Sequence, residues 1–151
     1  MKQIILVPVP CRHLDSALTM HSERIAFGTN ATHFFKKEEI KRGIPVLIYA
    51  SRKSAGAAHL FVKGRATFEA RFENWLRADK TGKHPVPDER APSTVTDTPF
   101  EGFWVVSAFK KLPKEQWVAF SMLKAMDSDQ PLKILFPRGP MIVQTHKIAG
   151  G

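Results

Sequence analysis

Apolar and polar positions along this chain fall into short strand-like and helix-like stretches. Ile4 to Val9 is rich in β-branched residues and closed by Pro10, which predicts a strand. Arg12 to Met20 places Leu14, Ala17 and Leu18 at helical spacing, so strand is followed by helix. Arg24 to Gly28 reads as a short extended piece ended by the turn-forming run Gly28-Thr29-Asn30. The next helix takes Asn30 or Thr32 as its cap, turns Phe34, Phe35 and Ile40 inward, and stops at Gly43.

Ile44 to Ala50 is a nearly continuous apolar run with Pro45 at its start, as expected of a buried strand. After a small basic loop, Ser51 to Ala58, alternation runs from His59 to Phe72 with a phase slip near Gly64 where a bulge fits, which predicts one long bent strand. Arg77 to Glu101 is rich in proline, serine and threonine and poor in large apolar side chains; it predicts a long Pro-rich connection at 77–101 and no core element. Connections of this length are usually functional or mobile. Phe103 to Phe109 returns as a strand, Lys114 to Met126 fits helix and strand equally, and Met141 to His146 is a last strand after the turn Pro137-Arg138-Gly139-Pro140. Strands separated by short helices predict an α+β domain spanning 1–151 around a curved sheet that can close on itself.

Composition leaves this picture standing: 43% apolar and 25% charged residues in 151 are the balance of a globular domain. Charge adds to it. The formal net charge is +9, with a pI near 9.9, the range of nucleic-acid-binding domains. Residues 36 to 71 carry nine Lys or Arg against three acids, so most of the excess lies in less than a quarter of the chain. Single Cys11 excludes an internal disulfide and fits a reducing compartment. Met1 to Pro10 is too short and too proline-broken for a signal sequence, so a cytoplasmic location is expected, with no membrane partner.

The six histidines form no helical i, i+4 pair with a helping carboxylate, so no metal is expected. No GxGxxG, GxxxxGK[ST] or GxSxG stretch occurs, and no cofactor is expected. Cys11 beside His13 fits a small buried thiol better than a nucleophile. What remains is a basic segment interleaved with aromatics. Lys36, Lys37, Lys41, Arg42, Arg52, Lys53, Lys63 and Arg65 are suited to phosphates, and aromatic faces to unstacked bases. Most of the phenylalanines are expected in the core; Tyr49 and Trp104, each with a stacking face and a polar handle, are the better candidates.

The order Phe27-Gly28-Thr29-Asn30, a helix ending Ile40-Lys41-Arg42-Gly43, then Val46-Leu47-Ile48-Tyr49-Ala50-Ser51 and Val62-Lys63-Gly64-Arg65-Ala66 resembles the EVE members of the PUA-like superfamily. Pro137-Arg138-Gly139-Pro140-Met141-Ile142-Val143 is similar to the terminal turn and strand of that group. The resemblance implies a curved or closed PUA-like β-barrel flanked by short helices. It also implies a pocket that reads a modified or flipped base in DNA or RNA without catalysis, lined by Asn30, Tyr49, Ser51 and Arg138. The chain departs from the EVE pattern in lacking a tryptophan-rich start and in carrying the 77–101 connection. On the residues alone, Asn30 fits a helix cap as well as a pocket, Ser51 a strand end, and Arg138 a surface charge.

Two further classes stay open. The related ASCH group includes nucleoside-acting hydrolases, for which Lys53, Lys63, Thr67 and Glu69 would be the polar groups near a cleft. A protein-binding adaptor would use the long connection.

Overall fold

Ile4–Val9 (β1) and Pro45–Ala50 (β3) lie side by side as the one parallel pair of a seven-stranded sheet in the computed structural model of the chain, which describes residues 3–53, 55–96, 99–133 and 139–145. Their neighbours are Arg24–Thr29 (β2), Phe68–Arg77 (β5), Gly102–Lys111 (β6), Leu123–Ala125 (β8) and Met141–Thr145 (β9), in the order β2-β6-β5-β3-β1-β9-β8. Arg65–Ala66 (β4) and Val118–Ala119 (β7) pair separately as a small ribbon. Cys11–Ala17 (α1), Thr32–Phe35 (α2) and Pro92–Thr96 (α3) are the α-helices. The architecture is mixed α+β, and among the described residues the outer strands β2 and β8 do not pair to close the sheet. No described helix is long and apolar enough to cross a membrane.

Strand alternation divides the core by face. Ile5, Val7 and Val9 of β1, Val46 and Ile48 of β3, Phe68 and Phe72 of β5 and Trp104 of β6 point to one side, where α1 and α2 cover them with Leu14 and Phe35. On the other side, Leu6, Tyr49 and Val143 pack under Phe120 and Leu123 at one end, and Ala26, Phe103 and Val105 pack under the 77–101 connection at the other. The second face is thus covered at both ends, and its middle is left open.

Two bulges set which side chains reach that middle. Between the pairs Glu69↔Lys110 and Arg71↔Ser107, β6 holds one residue more than β5, and Ala108 there takes φ 52. The extra residue turns Phe109 into the first core, against Phe27 and Phe68, and brings Lys110 onto the same side as Ser107. A non-glycine residue at positive φ inside a strand costs backbone energy, and the ring contacts of Phe109 with Phe27 and Phe68 hold it there. Between Phe72↔Val106 and Asn74↔Val105 the extra residue lies in β5, at Glu73.

Three sequence expectations are corrected. The second helix is a single turn; i to i+3 turns at Lys37, Ile40 and Ile44 replace the rest and still bury Ile40. Asn30 does not cap it, because its Oδ1 accepts the Glu101 backbone N–H at 3.0 Å instead. The long strand from His59 is broken into a 3₁₀ turn at Ala58–Leu60, a left-handed Gly64 at φ 73, and then β4 and β5, since a positive φ ends strand pairing.

The connection is more than a tether. Within it His84 is fully buried against Phe103, Ala91 and Thr94 are buried, and Arg90 bridges in parallel to Ala26 of β2. His84 Nε2 lies 2.8 Å from Glu89 Oε1, and a carboxylate only accepts, so Nε2 carries the proton. Nδ1 is buried with no hydrogen-bond partner among the described residues. Burial is the main cause holding this imidazole below its usual pKa, against the raising effect of Glu89. A depressed histidine pKa means that the unfolded chain binds the proton more readily, so stability is complete above pH 6.5 and falls as the pH drops through the folded value. The thermal midpoint of the wild type is expected to fall between pH 7.5 and 5.5, and His84→Gln to flatten that fall. An equal fall in both proteins would place the acid sensitivity elsewhere.

Candidate nucleic-acid interface

The open strip of the second face is built around a carboxylate. Glu73, re-aimed by its bulge, takes Arg24 Nη2 at 2.9 Å, Arg42 Nη2 at 3.1 Å and Ser107 Oγ at 3.2 Å, and its side chain is 10% exposed. Burial works to raise its pKa, but hydrogen bonds from Arg24, Ser107 and Arg42 outweigh it and hold the carboxyl below its usual value. The Arg42 side chain remains 73% exposed, so one edge of its guanidinium is fixed and the rest faces water. Arg71 donates to the Gly43 carbonyl at 3.2 Å, which ties it to the same loop.

Two cavities meet beside this hub. A basic concavity of about 640 Å³ is lined by Lys41, Arg42 and Arg71 with Gln3, Glu39 and Pro45. A narrower one of about 290 Å³ lies between the sheet and the ribbon; Leu47, Val118 and Leu123 give it apolar walls, with Glu69 and Thr145 as polar groups. Pro45 and Arg71 line both, so the cavities adjoin. Glu69 is paired with Lys110 at 3.0 Å.

The residues expected to line one aromatic-walled pocket do not converge. Tyr49 and Trp104 are each 2% exposed and lie on opposite faces of the sheet. Tyr49 packs edge-on to Phe120, and burial pushes its hydroxyl up to about 12. Trp104 stacks on Phe35 at 5.5 Å. Neither ring offers a face to solvent, so neither is a stacking platform. Asn30 follows β2, at the Arg77–Gly102 end of β5 and β6, whereas Ser51 follows β3, at the opposite end of β5, its N–H bonded to the Val9 carbonyl. Arg138 lies outside the described residues.

The eight candidate phosphate contacts divide as well. Lys41 and Arg42 stand in the basic concavity before β3. Lys36 lies 4.6 Å over the Trp75 ring, beside a small pocket with Thr32, Arg77 and Glu101, and Lys37 lies over Phe34. Arg52 and Lys53 follow β3, with Lys53 over Phe61. Lys63 and Arg65 line a cavity of about 530 Å³ on the outer side of the ribbon, with Ser121 and Lys133. Of the polar groups for a hydrolase, Thr67 is buried, Lys53 covers a ring, and Glu69 and Lys63 line different cavities. Among the described residues, no three of His, Cys, Asp and Glu gather closely enough to hold a metal ion.

Arg71 and Glu73 escaped the sequence reading for different reasons. Arg71 was legible: with Phe68, Ala70 and Phe72 inward, alternation turns Glu69 and Arg71 outward together. Glu73 depends on a bulge, which no local pattern marks. Comparison of the chain with family models, with curated proteins and with solved structures finds no match.

Proposed function

We propose that this chain binds nucleic acid, taking one unstacked base into the apolar cavity of Leu47, Val118 and Leu123 while adjoining phosphates lie on Lys41, Arg42 and Arg71. The observation that carries this reading is the junction at Pro45 and Arg71, where an apolar cavity opens directly into a cation-rimmed one. A ligand that fits must join an apolar, flat body to a negative charge at short range, as a nucleotide within a strand does. Glu69, Thr145 and Arg71 supply hydrogen-bonding groups for the edge of a base. The net charge of +9 supports the same partner. On this reading the curved sheet, half covered by the β4–β7 ribbon, is a PUA-like barrel in open form, and the protein acts in the cytoplasm on DNA or RNA without catalysis.

The test is anisotropy of fluorescein-labelled single-stranded DNA and RNA 12-mers at 50 mM salt. Wild-type protein should bind, and Val118→Trp, which fills the apolar cavity, should weaken binding about ten-fold, the scale of one lost base contact. Met122→Trp, at an already exposed position outside that cavity, should leave affinity unchanged. Absence of binding to every oligonucleotide would remove the proposal.

A further inference from the structure

Resting on the nucleic-acid reading, we infer that the occupant is a single strand that crosses the sheet from the Arg42 concavity to the Lys63–Arg65–Lys133 cavity. The geometry is a basic, apolar, basic succession. The first basic concavity precedes β3, and the apolar cavity lies over Leu47 in the middle of β3. The second basic cavity begins across the ribbon, where Ala66↔Val118 face inward and Arg65↔Ala119 face outward. Val118 lines the apolar cavity and its neighbour Ala119 the second basic one, so the ribbon is the rim between them.

Charge selects the occupant. The cavities at the two ends supply six cations, Lys41, Arg42 and Arg71 on one side and Lys63, Arg65 and Lys133 on the other. Among the described residues, the single acid lining them is Glu39. The apolar cavity and the β4–β7 ribbon at its rim separate the two cation clusters, and the ligand must bridge both. A mononucleotide cannot reach both ends, whereas a strand of the four or more nucleotides that single-strand modules cover can do so. A duplex keeps its bases stacked inside and leaves the apolar cavity between the two clusters empty, so the apolar middle favours a single strand.

The experiment uses the full chain with labelled oligothymidylates of 2, 4, 8 and 12 nucleotides and a 12-base-pair duplex, at 50 mM salt. Affinity should rise at least ten-fold from 2 to 8 nucleotides and then level off, with the duplex bound more weakly than the 12-mer. Arg65→Glu with Lys133→Glu, both at exposed positions, should bring the 8-mer down to the affinity of the 2-mer and leave the 2-mer unchanged; circular dichroism reports whether the variant is folded. Binding that is independent of length, a preference for the duplex, or equal loss at every length would overturn the track while leaving nucleic-acid binding in place. Failure of all oligonucleotides to bind would overturn both.

Discussion

Trp104→Ala is expected to destabilise the protein by about 3–5 kcal/mol, the range for deleting a large aromatic from a close-packed core. Trp104 is 2% exposed, stacks on Phe35 at an interplanar angle of 6° and meets Phe27 at 4.8 Å, so its removal opens a cavity and breaks two ring contacts. Against a typical total of about 5–15 kcal/mol, a loss of that size leaves a marginal fold. Urea unfolding followed by tryptophan fluorescence and circular dichroism measures it as a lower midpoint with an unchanged slope. The same variant separates two roles for the ring. A stacking platform would give a stable variant that loses oligonucleotide affinity, whereas a core residue gives the reverse. A change below about 1 kcal/mol would contradict the placement described here.

That contrast shows where sequence reasoning reaches its limit. β1, β2, β3, β6 and β9 were legible because their residues are apolar in runs bounded by Pro, Gly or charge, which is a local signal. A stacking face and a polar handle make Trp104 a candidate for contact with a base, but neither says which sheet face a residue occupies. Only the pairing Trp75↔Trp104 beside Phe27↔Trp104 fixes that face, and pairing is a long-range fact.

The 77–101 segment illustrates the opposite failure. Its low apolar content predicts a connection with no core element, yet His84, Ala91 and Thr94 are buried there. Small and polar side chains can be buried when their hydrogen bonds are made nearby. Thr94 Oγ1 donates to the Ala91 carbonyl at 2.7 Å, and His84 pairs with Glu89 five residues on. Gly28 shows the same closeness from the other side: a Cβ there would run into the Phe100 ring, so the end of the connection sits directly on β2. The basic segment 36–71 was legible as charge but not as shape, because β3 carries Arg52 and Lys53 away from Lys41 and Arg42, whereas β5 brings Arg71 back beside them.

The spread of charge gives the largest expected effect on binding. If the six cations of the two basic cavities each meet one phosphate, log affinity should fall with log salt at a slope of about −0.7 per contact, or roughly −4 in all. Raising salt from 50 to 200 mM should then weaken single-strand binding about 300-fold. Lys41→Glu with Arg71→Glu removes two contacts on the β5 side without touching the Glu73 hub, and should reduce the slope by about 1.4. Arg42→Glu acts on more than one term. It removes a phosphate contact and sets a second carboxylate beside Glu73, whose hydrogen bonds from Arg24 and Ser107 then work against like-charge repulsion. Its slope should fall by about 0.7, as for any one cation, but its affinity at 50 mM salt should drop further than that of Lys41→Glu. A slope near zero in the wild type would mean that the bound ligand is held without its phosphates, and the basic cavities would then have no part in binding.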